Sequence, residues 1–385
     1  MISVYALVFV TELCQAAIFP LLPTLGRELE LSGLQTGAIL AATTVATVIA
    51  AVPIGMLADR LGARRLTVAA GIGVTGSALV QAFAGSFWIL VAGRALYGLA
   101  FATVWTAGVT LVSGASRPGR GRAVGGTIVV GGAAHLVGPS MSGLLAEHVS
   151  TAMPFLVVSA AALLVTLLLA RTRVDRVDTR PREPLDAVLR AVRGHHELRT
   201  ALVLMALVGT AAGIVPLLAP LVLDENGLSP AQIGGVFSAA SAAWIVVSAL
   251  VARAGRRAVR VPAAGVGALA LGAVFLLPVA TLASAAVAAF LVLRAVAQAP
   301  LSTICYPLTE AGARIAGLGA GTAIGLANVV WGAAAALGPL AGGALVGALG
   351  ARATFALVAL AGGAAGAFIL LGRGSSATNA AAETA

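Results

Sequence analysis

The sequence predicts an all-α membrane protein of twelve transmembrane helices, arranged as two six-helix bundles related by a parallel pseudo-twofold repeat. Three observations predict it. Hydrophobic residues make up 59% of the 385-residue chain and charged residues 10%, against roughly 25% charged in a soluble domain. Apolar runs of about 20 residues, enough to cross roughly 30 Å of hydrocarbon, recur along the whole length. Finally, Gly138-Pro139-Ser140-Met141-Ser142-Gly143 returns in altered form as Gly338-Pro339-Leu340-Ala341-Gly342-Gly343. Each copy sits inside an apolar run behind a glycine-rich approach, Gly125 to Gly132 and Gly321 to Gly332. A chain that repeats at about half its length, with both halves apolar, has the form of a carrier built from parallel repeats.

The twelve runs lie at about 3–22, 35–57, 66–85, 87–113, 123–146, 152–170, 200–222, 231–251, 262–281, 283–308, 319–347 and 353–372. Loops as short as Ala84-Gly85-Ser86 leave some boundaries open, so eleven or thirteen spans are the alternatives; the repeat favours an even number. The first run has no cationic leader and continues past Glu12 to Pro23, unlike a cleaved signal peptide. Residues 1–170 are expected to form the first bundle, 171–199 a linker, 200–373 the second bundle and 374–385 a disordered tail. Within the linker, Arg171 to Pro184 is charged and proline-bearing, as an exposed tether would be. Beyond it Leu185, Val188, Leu189 and Val192 fall at helical spacing opposite Arg190 and Arg193, which predicts a short amphipathic helix at the membrane surface.

The formal charge of +10 suggests a nucleic-acid partner, and its distribution excludes one. The basic residues are all arginine, and about twenty of the 24 fall in alternate loops, at Arg60, Arg64, Arg65, Arg117, Arg120, Arg122, through 171–199, at Arg253, Arg256, Arg257, Arg260, Arg314 and Arg373. The opposite loops hold Arg27 and Arg352. Such a bias orients a chain in the bilayer and places both termini in the cytoplasm, with the inner membrane as the expected location. Cys14 and Cys305 both lie within spans, where neither suits a disulfide or a metal site. No glycine loop ending in lysine is present to cradle ATP, and no nucleophile and base stand together. Neither a metal, a cofactor nor an enzymatic activity is expected, and the expected state is a monomer.

The loop after the second span reads Gly55-Met56-Leu57-Ala58-Asp59-Arg60-Leu61-Gly62-Ala63-Arg64-Arg65. Gly55 permits close helix contact, and Asp59 at a helix end can face the positive N-terminus of a neighbour. This loop resembles the signature of the major facilitator superfamily, Gly-x-Leu-Ala-Asp-Arg-x-Gly-Arg-Lys/Arg, with Ala63 in place of the usual basic residue. The resemblance implies the major facilitator fold and a conformational latch made of Gly55, Asp59, Arg60, Gly62, Arg64 and Arg65. The second half carries a worn copy, Ser248 to Arg257, without the acid.

Arg94 opens Arg94-Ala95-Leu96-Tyr97-Gly98-Leu99-Ala100-Phe101-Ala102 inside the fourth span. It resembles the superfamily's fourth-helix motif, Arg-x-x-x-Gly-x-x-x-Ala, and Arg294 is its counterpart. An arginine at this depth costs about 2.5–3.5 kcal/mol, so it needs water, a partner or a route to the surface. Glu12 is the one acid deep within an apolar run. A carboxyl held between desolvation and a nearby arginine can take up and release a proton as its exposure changes. The resemblance makes the first and fourth helices neighbours around a cavity, so Glu12 and Arg94 are expected within reach of each other.

The fifth span is the most specific. Gly125, Ala134, Gly138, Pro139, Ser142 and Gly143 resemble the antiporter motif of the twelve-helix drug–proton antiporters, Gly-x8-Gly-x3-Gly-Pro-x2-Gly-Gly, with Ala134 and Ser142 replacing two glycines. Small residues allow backbone contact, and Pro139 interrupts the hydrogen-bond ladder. His135, in the same stretch, is a candidate second proton carrier. Gln15, Tyr97, Trp105, Arg294, Gln298, Tyr306, Asn328 and Trp331 are the candidates for the substrate cavity. The expected function is proton-coupled export of a small organic compound, with substrate, protons and the lipid bilayer as partners. Alternatives are a proton-coupled sugar or amino-acid exporter or symporter and, more remotely, a non-transporting receptor on the same scaffold.

Overall fold

The computed structural model describes residues 2–115, 120–171, 192–254, 261–318 and 320–371, which are helical almost throughout. In hydrocarbon every backbone N–H and C=O must find its partner within the segment, and a long apolar run of this sequence meets that demand as a helix. In the first half, α1 (Ile2–Ala17) passes through a 3₁₀ turn at Phe19–Leu21 into α2 (Leu22–Glu28). Then come α3 (Gly33–Leu61), α4 (Ala63–Ala82) and α5 (Phe87–Thr103). A π turn at Val104–Gly108 leads into α6 (Val109–Ala115), followed by α7 (Arg120–His148) and α8 (Met153–Ala170). The second half holds α9 (His196–Glu225), α10 (Pro230–Ala254), α11 (Val261–Val274), α12 (Leu276–Ala280), α13 (Ser284–Ile315) and α14 (Ala320–Leu371).

Among the described residues, ten helical stretches are long and apolar enough to cross a membrane. The expectation of twelve differs in two places. α4 carries Arg64, Arg65, three glycines and Gln81, and is too polar to count. The last two expected spans form one stretch, Gly325–Leu371, in which Gly350 (φ 80°, ψ 169°) leaves the helical region and breaks the rod. α9 starts at His196, ahead of the expected start at 200. The expected linker helix at 185–192 lies outside the described residues but for its last residue, and the tail at 374–385 lies outside them altogether.

The halves begin their second helices alike. Ser32 Oγ accepts from Gln35 N at 3.3 Å while Gln35 Oε1 accepts from Ser32 N at 2.8 Å, a reciprocal capping box. Ser229 and Gln232 repeat it before α10, at 3.4 and 2.9 Å.

Contact between the halves runs along two helix pairs, α3 on α14 and α7 on α10. Both depend on glycine for the same reason. A Cβ on Gly37 would lie 2.1 Å from the Pro339 carbonyl oxygen, and one on Gly234 would lie 2.2 Å from that of Pro139. At the next turn Gly343 meets the Gly33 carbonyl and Gly143 meets the Pro230 carbonyl, each at 2.2 Å from a built Cβ. No side chain fits these four positions, so the backbones touch. At this end Arg27 pairs with Asp224, and Glu147 Oε2 accepts from Ala231 N at the start of α10 at 3.1 Å. Above them the main apolar core joins both halves through Phe19 and Phe237, ring centroids 5.5 Å apart.

Candidate functional site

Glu12 sits in the middle of α1, where Val8, Leu13 and Cys14 pack into the first bundle, and is 7% exposed. Its two carboxylate oxygens take different partners. Trp105 Nε1 donates to Oε1 at 2.7 Å, and His135 Nε2 stands 3.0 Å from Oε2. Trp105 reaches it from the π turn, a geometry that inserts one residue into a helix and re-aims its side chains. His135 reaches it from α7, and Gly131, one turn earlier, clears the space: a Cβ there would stand 3.4 Å from Glu12 Cγ.

Arg94 takes Gln15 as its partner. Its Nη2 donates to Gln15 Oε1 at 3.0 Å, its guanidinium lies 5.1 Å from the Tyr97 ring, and it forms no ion pair with Glu12 among the described residues. The side chain is fully buried, so it does not reach the surface either, and its Nε and Nη1 find no acceptor. Geometry accounts for the choice. Gln15 lies one turn beyond Glu12 on α1, so it comes between the arginine and the acid. Tyr97, on the same face of α5 as Arg94, donates its hydroxyl to the Thr11 carbonyl at 2.6 Å and pins α5 to α1. Gly98 and Thr43 bring α3 in as well, since a Cβ on Gly98 would lie 2.2 Å from the Thr43 carbonyl.

The proline motif of α7 works on two faces at once. Gly138 and Ser142 face α1: a Cβ on Gly138 would stand 3.0 Å from Ala16 Cβ, and Ser142 donates to the Ala17 carbonyl. Pro139 and Gly143 face α10, and Ala134 is fully buried in the first bundle. Gly125 lies within α7, but its surroundings are outside the described residues, as is the side chain of Asp59. Of the other expected latch residues, Gly55 is buried and Arg60 and Arg65 are exposed. Gly62 links α3 to α4 at φ 86°, a conformation that favours glycine, and Arg64 Nη2 donates to the Ala170 carbonyl at 2.6 Å.

The cavity candidates do not form one cluster. Gln15 and Trp331 line a cavity of about 60 Å³ with Phe19, Thr44, Ala212 and Ala335, between the halves. Trp105 and Tyr97 are occupied as described. Arg294 Nη1 donates to Gln298 Oε1 at 2.5 Å, one turn away on α13. Tyr306 donates to Asn328 Oδ1 at 2.7 Å, and both are exposed. Several contacts were not anticipated from sequence: the Arg27–Asp224 pair, Glu147 at the start of α10, and Ser140 Oγ donating to Ser238 Oγ at 2.8 Å across the halves. The repeated Ser-x-x-Gln caps were the signal that could have aligned α3 with α10 and pointed to this interface.

The Major Facilitator Superfamily profile matches residues 4–321, and the chain belongs to that superfamily as a multi-pass membrane protein. It is 33% identical over 151 residues to the tetracycline resistance protein, class G, of Vibrio anguillarum, a match covering 38% of this chain and 37% of that one. It is 34% identical over 157 residues to the multi-drug resistance efflux pump PmrA homolog of Lactococcus lactis subsp. lactis, covering 39% and 38%. The chain thus spans little more than a third of the length of these relatives. Its fold is that of a bacterial homolog to the human lysosomal transporter Spinster in an inward-facing and occupied conformation (TM-score 0.79, 16% identity, 96% of this chain and 95% of that one). The nucleoside transporter NupG, as its D323A mutant, matches equally (TM-score 0.79, 12% identity, 96% and 98%).

Proposed function

We propose that the chain is a proton-coupled secondary transporter that exports small organic compounds from the cytoplasm across the inner membrane by alternating access. Twelve helices would form two bundles rocking about a central cavity, with both termini in the cytoplasm. The observation that carries this reading is the placement of Glu12, a buried carboxylate held by Trp105 and His135 on two other helices.

An ionised Glu12 accepts charge-assisted hydrogen bonds that a neutral acid makes only weakly. Protonation therefore loosens α1 from α7. α7 is also the helix whose neighbouring face lies on α10 of the other half. The proton state of one side chain thereby reaches the seam along which the halves must part. The contacts at Arg27–Asp224 and Glu147–Ala231 close the end away from the chain termini, so entry is from the cytoplasmic end in this conformation. The tetracycline resistance and multi-drug resistance relatives support export of drugs as the substrate class.

The test is growth of an efflux-deficient bacterial host on lipophilic cations and common antibiotics, wild type against Glu12→Gln at equal expression. Resistance given by the wild type and lost in the variant supports the proposal; a variant as protective as the wild type overturns it. A second reading, transport of a polar metabolite, is favoured by the exposed Tyr306–Asn328 pair. Flux of a polar solute with indifference to the drug panel would select it.

A further inference from the structure

Arg294 is a half-buried guanidinium in α13 that the second half does nothing to neutralise. Its hydrogen bond to Gln298 stays within its own helix, and its Nε is buried without a partner. Between residues 200 and 371 the sequence holds three acids, Asp224, Glu225 and Glu310. The first two end α9 and Glu310 lies near the end of α13, so none sits at the depth of Arg294. Asp224 is also committed to Arg27 of the other half.

The first half differs at the corresponding places. Two hundred residues before Arg294 stands Arg94, and two hundred after Glu12 and His135 stand Ala212 and Ala335. Where the first half has an acid and an imidazole, the second has two alanines that line the small cavity between the halves. Gln298 spends its carbonyl oxygen on Arg294, which leaves its amide N–H groups as donors. Asn328 likewise spends its carbonyl oxygen on Tyr306. Gln298 and Asn328 thus present donors, as Arg294 does, while Glu12 in the first half is an acceptor.

We propose that Arg294, with Gln298, is the subsite for an anionic group of the substrate, a carboxylate or enolate, and that it selects such compounds over simple cations. A carboxylate is acceptor-only and matches a guanidinium fork in shape and charge. Substrates carrying both a basic group and an acidic one would place the basic end toward Glu12. The inference rests on the export reading and sharpens its substrate class.

The experiment uses the full chain in the efflux-deficient host and two dyes of one chromophore, a rhodamine with a free carboxylate and its methyl ester. The readout is the ratio of their export rates. The ratio is expected to fall at least tenfold in Arg294→Gln and less in Arg294→Lys, which keeps the charge but loses the fork. A ratio unchanged in Arg294→Gln overturns the subsite. Equal loss of both dyes in Arg294→Gln and Arg294→Lys overturns it too, since that is the signature of a packing role. A wild type that exports the ester and not the carboxylate overturns the subsite and leaves export standing; a wild type that moves neither dye nor any drug of the panel overturns both.

Discussion

The imidazole of His135 lies 3.0 Å from the carboxylate of Glu12, and the contact joins α1 to α7 one helical turn before Pro139, which α7 presents to α10. One helix therefore feels both the acid and the seam between the halves. Replacing the acid by an isosteric amide keeps the shape and removes the charge. Glu12→Gln should lose proton-driven accumulation of substrate by at least tenfold while retaining substrate exchange down a concentration gradient. Paired measurements in proteoliposomes, with and without a pH gradient, check this; equal loss of both activities would refute it.

Trp105→Phe should slow export by roughly three- to tenfold. The ring stays large enough to keep its place beside Phe101, with centroids now 6.2 Å apart, but the N–H to Glu12 is gone. A lost hydrogen bond to a charged acceptor costs about 1.5–3 kcal/mol, and part of that returns through water from the cavity. Initial export rates at equal expression are the check.

Gly37→Ala and Gly234→Ala should each weaken the closed end. Both new methyl groups would overlap a proline carbonyl, which the two backbones can relieve by moving apart. Overpacking of this kind costs about 1–3 kcal/mol. Cysteines placed at positions 147 and 231, neighbours in this state, should cross-link less in either variant than in the parent.

The Arg27–Asp224 pair joins the halves at the surface, with Arg27 60% exposed. Solvent screening limits it to about 0.2–1 kcal/mol. Asp224→Asn should therefore leave the fold intact and change the population of the closed end by less than about fivefold. Exchanging the charges, Arg27→Asp with Asp224→Arg, should restore the parental cross-linking yield.

Tyr97→Phe should lower thermal stability. It removes the hydroxyl that gives the Thr11 carbonyl a second hydrogen bond beside its intrahelical one and ties α5 to α1. A hydrogen bond of this kind contributes about 0.5–1.5 kcal/mol net. A shift in the unfolding midpoint in detergent checks it.

Helices and their order were legible because lipid leaves a backbone no other choice, and the apolar runs mark where it applies. The proline motif was legible as a contact site because glycine at that spacing has few other uses, and Pro139 and Pro339 do meet Gly234 and Gly37. The partners of Arg94 and Glu12 were not legible. The two were read as within reach of each other; one helical turn separates Gln15 from Glu12, and the guanidinium bonds to Gln15. Ten stretches rather than twelve are long and apolar enough because α4 is more polar than its neighbours and because the last stretch runs through Gly350, which breaks it where the sequence places a loop. The closed end was missed because Arg27, Asp224 and Glu147 read as ordinary loop charges until the halves are set side by side.

The π turn at Val104–Gly108 gives this chain an uneven tolerance to change in length. Its extra residue sets the angle between α5 and α6, and with it the aim of the Trp105 side chain. Removing one residue of the turn would let the helix close at its ordinary 3.6 residues per turn, so that α6 kept its facing while the side chains within the turn were re-aimed. Where the residue lost is not Trp105 itself, the indole would still shift from its place against Glu12, although every residue of the Glu12 cluster remained in the sequence. A single-codon deletion here would do more harm than most substitutions within the same five residues.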